Sequence, residues 1–122
     1  MATVRYIVND VEAAIAFYTG LLGFELKQQF GPAMGILAKD DLVLWVAGPP
    51  ASAQRPMPDG SQPAPGGWNR IVVQVEDIAA TVATLTEAGV HFRNEIISGP
   101  GGQQILLEDP SGNAIEVFQP GE

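Results

Sequence analysis

Cysteine is absent from the chain, which removes disulfides, thiolate metal sites and a cysteine nucleophile together. Histidine occurs once, as His91, so one chain cannot assemble a multi-histidine metal site. A Ser-His-Asp triad would have to use that residue, and no nucleophile-elbow motif accompanies it. Positive charge is scarce: six Lys+Arg stand against fourteen Asp+Glu, for a net charge of -8. Such a chain repels phosphate backbones, so no nucleic-acid partner is expected. An anionic membrane surface is not expected as a partner for the same reason, and the charge reads as a solubility device. No apolar run approaches the roughly 18 residues that span a bilayer. Met1 leads directly into a strand-like run rather than a leader segment, so a cytoplasmic location is expected.

What is present is a repeat. The run Thr3 to Val8 precedes Asn9-Asp10 and an Ala-rich stretch; Arg70 to Val75 precedes Glu76-Asp77 and another. After Asp10, the residues Val11, Ala14, Ile15, Tyr18 and Leu22 recur at helical spacing, as Ile78, Val82, Leu85 and Ala88 do after Asp77. Both aspartates sit where an N-cap belongs. Gly23 and Gly89 sit where a left-handed C-cap costs least.

Three strand candidates follow each helix. They are Phe24 to Phe30, Met34 to Ala38 and Leu42 to Ala47 in the first copy, and His91 to Ile97, Gln103 to Glu108 and Ala114 to Gln119 in the second. Each copy therefore reads β-α-β-β-β. The predicted fold class is α+β, one domain over 1–122, with module one at 1–47 and module two at 68–120. The helix of each module covers one sheet face, and two such sheets would form a cup-shaped site with the helices outside. Six prolines crowd the segment 48–67 between them. It reads as an extended linker, or alternatively as a flap over a cleft or an arm reaching a second subunit.

The blocks Asp10-Val11-Glu12-Ala13-Ala14-Ile15-Ala16-Phe17-Tyr18 and Leu21-Leu22-Gly23-Phe24, with Val75-Glu76-Asp77 and Asp109-Pro110-Ser111-Gly112-Asn113-Ala114-Ile115-Glu116, resemble the vicinal oxygen chelate superfamily. That group holds glyoxalase I, extradiol dioxygenases, fosfomycin-resistance proteins and bleomycin-resistance binding proteins. The resemblance implies a divalent metal held from four inward positions. By counting from the capping aspartates and the last strands, those positions fall on Thr3, Leu44, Arg70 and Glu116. Only Glu116 is a good ligand, since arginine has no lone pair to give and leucine has no donor atom. No metal and no other cofactor is therefore expected.

Arg70 and Glu116 read either as an ion pair filling a vacated site or as a polar anchor at the bottom of a ligand cup. Strand alternation adds Arg5, Trp68, Gln74 and Phe118 to the ligand-facing set and assigns Trp45 to the helix side. His91 reads as structural or exposed.

The leading expectation is a metal-free binding protein that sequesters a small hydrophobic, aromatic compound such as an antibiotic, in the manner of the bleomycin-resistance relatives that the resemblance brings in. It implies a homodimer, with no membrane and no nucleic acid. The alternative is an enzyme: a glyoxalase-like lyase or isomerase, or a dioxygenase. It would depend on a metal, or use Glu116 as a general base with Gln74 orienting the substrate. A partner-binding module with a vestigial cup is the third reading.

Overall fold

Asp10 and Asp77 start the two helices. In the computed structural model, which describes residues 1–121, each carboxylate accepts from the backbone three residues on, Asp10 from Ala13 N at 3.2 Å and Asp77 from Ala80 N at 3.0 Å. Each satisfies a donor that the first helical turn leaves without a partner. Helix α1 spans Val11–Leu21 and α2 spans Ile78–Glu87. Gly23 (φ +76°) and Gly89 (φ +81°) take the left-handed conformation after them. Phe24 N then donates to Tyr18 O, and Val90 N to Leu85 O, closing the helix ends.

The chain divides into two compact units, Met1–Gly66 and a second beginning at Gly67. The first contains β1 (Ala2–Ile7), α1, β2 (Glu25–Phe30), β3 (Met34–Lys39) and β4 (Leu42–Ala47). Its sheet runs β1-β4-β3-β2, with β1 parallel to β4 and the remaining pairs antiparallel. The second contains β5 (Ile71–Gln74), α2, β6 (Ile97–Gly99), β7 (Gly102–Glu108) and β8 (Ala114–Pro120). Its sheet runs β5-β8-β7-β6, with β5 parallel to β8. The fold is α+β, two βαβββ modules each with a mixed four-stranded sheet. Among the described residues no helix is long and apolar enough to cross a membrane.

Each sheet buries one face with its helix. In the first unit the core joins Val11, Ala14, Phe17 and Tyr18 of α1 to Leu37, Leu44 and Val46. Tyr18 packs edge-on against Phe17 at 5.1 Å and Phe24 at 5.4 Å between ring centroids. In the second, Ile78 and Leu85 of α2 are buried, as are Ile71, Val73, Leu107, Ile115 and Val117 of the sheet.

Two segments depart from expectation. The stretch proposed as a strand from His91 to Ile97 makes only an isolated bridge, Phe92 to Leu107, before the short β6. Asn94 interrupts the ladder: its side-chain oxygen accepts from Leu106 N at 2.9 Å, taking the place of a backbone carbonyl. The proline-rich stretch is held against the first unit over its opening residues. A 3-10 turn, Ser52–Gln54, presents Gln54, whose side-chain amide donates to Val8 O and Ala47 O, each at 2.9 Å.

Candidate functional site

The faces of the first sheet are assigned by Gly35. A Cβ there would meet Ile15 Cδ1 of α1 at 3.0 Å and Val46 Cγ2 at 3.2 Å, so Gly35 and Val46 face the helix. Alternation puts Leu37 and Leu44 on that face as well, and both are fully buried. Trp45 lies on the other face, where the Arg5 guanidinium carbon sits 5.0 Å from its ring centroid.

Leu44 is therefore not a ligand-facing residue, and Trp45 is not on the helix side. The register gives the reason. Arg5 pairs with Trp45 as Val72 pairs with Glu116, and Arg5 and Val72 each stand five residues before their capping aspartate. Trp45, not Leu44, is the counterpart of Glu116. The turn from β3 to β4 has two residues, Asp40-Asp41, whereas that from β7 to β8 has five, Asp109 to Asn113. Matching the last strands across unequal turns slips the register by one residue and exchanges the faces. The parallel pairing to β1 is the signal that recovers Trp45.

In the second unit, Arg70 donates to Glu116 Oε1 from Nε at 3.2 Å and from Nη2 at 3.0 Å. Its Nη1 donates to Trp68 O at 3.3 Å. The Glu116 side chain keeps 13% of its exposure, that of Arg70 32%. No hydrogen bond among the described residues reaches Glu116 Oε2, so one carboxylate oxygen remains available as an acceptor. Val72 is half-exposed beside Glu116. Gln74 pairs with half-buried Phe118 on the same two strands. Gln74 also lines a cavity of about 400 Å³ with Val75, Glu76, Gln119 and Pro120.

Trp68 departs from the expected alternation. Strand β5 begins only at Ile71, and Gly66 and Gly67 carry positive φ of 115° and 89° immediately before Trp68. The indole packs on Arg93, 4.7 Å from guanidinium carbon to ring centroid, and remains 70% exposed. Arg93 in turn donates to Glu108, Gly67 O and Gly112 O. Trp68 thus caps a structural arginine at the start of the second unit. Thr3 stands exposed on β1, paired with Val43.

The donor set does not fit a resident divalent metal. A catalytic site takes about three protein ligands of His, Cys or carboxylate type. Across the four register positions the first unit offers a threonine hydroxyl and an indole. The second offers a guanidinium and one carboxylate, already engaged by that guanidinium. Among the described residues no three His, Cys, Asp or Glu side chains gather to hold a metal ion.

The turn ahead of β8 is built locally. Asp109 Oδ1 accepts from Ser111 N and Asn113 N, each at 2.9 Å, and Asn113 Nδ2 donates to Oδ2 at 3.0 Å. This explains the Asp-Pro-Ser-Gly-Asn block as turn chemistry that positions Glu116.

Comparison with known proteins agrees with this architecture. The family model described as the Glyoxalase/Bleomycin resistance protein/Dioxygenase superfamily matches residues 1–117. The chain is 30% identical over 116 residues to the uncharacterized protein YwbC of Bacillus subtilis, covering 93% of this chain and 91% of that one. It is 27% identical over 139 residues to a lactoylglutathione lyase of Pseudomonas putida, covering 93% and 80%. The crystal structure of TnmS3, an antibiotic binding protein from Streptomyces sp. CB03234, superposes with a TM-score of 0.73 at 27% identity, over 98% of this chain and 93% of that one.

Proposed function

We propose that this chain, which belongs to the glyoxalase/bleomycin resistance protein/dioxygenase superfamily, is a metal-free binding protein that sequesters a small hydrophobic, aromatic compound of the antibiotic kind. The observation that carries this reading is the Arg70–Glu116 pair. It takes up the one carboxylate at the register positions that would otherwise supply metal ligands, and it leaves Oε2 as an acceptor. A few polar points among apolar side chains suit a flat organic molecule. Val72 and Phe118 supply the apolar surface and Gln74 a second polar group. The 27% identity to an antibiotic binding protein supports the same reading. The working form is proposed as a homodimer, to be checked by sedimentation equilibrium.

The test is a thermal-shift screen of planar aromatic natural products, followed by calorimetry on the hits. A hit should raise the melting temperature of the wild type and lose most of its effect in Glu116→Gln. Hits indifferent to both Glu116→Gln and Arg70→Met would refute the assignment of this pair as the anchor.

A second reading has its own observation. Glu116 Oε2 is an unengaged carboxylate oxygen in a chain similar to a lactoylglutathione lyase, and it could act as a general base without a metal. Turnover of a bound compound, abolished by Glu116→Gln with binding retained, would establish that reading over plain sequestration.

A further inference from the structure

Arg5 is a cation without an anion. Among the described residues its guanidinium joins no ion pair and no hydrogen bond, whereas Arg70 closes on Glu116 and Arg93 on Glu108. This occurs in a chain with fourteen acidic residues and a net charge of -8, where a carboxylate partner would be easy to supply. The guanidinium instead rests at 5.0 Å over the Trp45 ring, on the sheet face turned away from α1. A cation held by an aromatic face keeps its N–H donors for another acceptor. Two apolar side chains flank the pair, Ile36 beside Trp45 in the register and Val43 two residues back on the same face, both half-buried, with Thr3 beside Val43 and Gln28 beside Ile36 at the margin.

We infer that Arg5 and Trp45 form a recognition point for a planar aromatic ligand carrying an anionic oxygen, a carboxylate or a phenolate. The inference rests on the small-molecule reading above and narrows its substrate class. The indole with Ile36 and Val43 is the floor for the ring system, and the guanidinium is the donor for the oxygen at its edge. Charge-assisted hydrogen bonds of this kind are about twice as strong as neutral ones. An aliphatic phosphate or a small sugar would satisfy the arginine and leave the floor uncovered. In the second unit the residue at the Arg5 register is Val72, so this cation is particular to the first.

Calorimetry with 2-naphthoate and its neutral analogue 2-naphthamide tests the inference. The wild type should prefer the naphthoate by about tenfold or more, the range for a hydrogen bond to a charged group. Arg5→Gln should remove the preference while sparing the amide. Arg5→Lys should retain part of it, and Trp45→Leu should weaken both compounds. If the amide binds and Arg5→Gln leaves the preference unchanged, the inference is wrong and the sequestration reading stands. If neither compound binds the wild type, the inference is overturned, and the sequestration reading is decided by the wider aromatic screen.

Discussion

Arg70 reaches Glu116 with two N–H groups that converge on a single oxygen, Oε1, at 3.2 and 3.0 Å. The two residues stand on adjacent chain segments of one parallel pair, so the arrangement is set by register. Removing one partner leaves a largely buried carboxylate without its donors. Arg70→Met should cost about 1–3 kcal/mol. A double-mutant cycle with Glu116→Gln should show coupling rather than additive losses. Urea denaturation of the four proteins measures this directly.

The helix caps are independent of that site. Asp10→Ala and Asp77→Ala should each lower stability by about 1 kcal/mol. The losses should add in the double variant, because the caps lie in separate units. Thermal unfolding followed by circular dichroism checks the sum.

Gly48 marks a close approach of the chain to α1. A Cβ there would lie 2.8 Å from Val11 Cγ2 and would collide with the Pro32 carbonyl oxygen. Gly48→Ala should therefore destabilise by about 1–3 kcal/mol. Gly99→Ala, where a Cβ meets nothing within 4 Å, should be close to neutral. Denaturation midpoints of the two variants give the comparison.

Asn94 replaces a backbone acceptor for Leu106 N. Asn94→Ala should cost about 1 kcal/mol and speed hydrogen exchange at the Leu106 amide. Asn94→Asp, which keeps the acceptor, should protect that amide as the wild type does. Amide exchange followed by NMR separates the two variants.

Asp10, Asp77, Gly23, Gly89 and the Asp109 turn were legible in the sequence because each acts on neighbours within a few residues. The same local signals brought out the two-module fold. Glu116 was legible through the resemblance, as the Glu that closes the run Gly112-Asn113-Ala114-Ile115-Glu116. Trp45 was not, because its face depends on the parallel pairing with β1, which joins residues forty apart. The failed strand after His91 has a similar origin. A side chain, Asn94, does there what a backbone group does in a regular ladder, and composition carries no trace of it. Alternation does not carry to Trp68, because β5 begins only at Ile71 and residues 68–70 lie ahead of the strand.

The proposed function rests on ligand binding that proceeds without a metal. Calorimetric titration of the best screening hit, once with EDTA and once with added zinc, nickel or manganese, tests it most directly. One binding event per chain, with the same affinity under both conditions, is expected. Binding that vanishes with EDTA and returns with a stoichiometric divalent ion would contradict it.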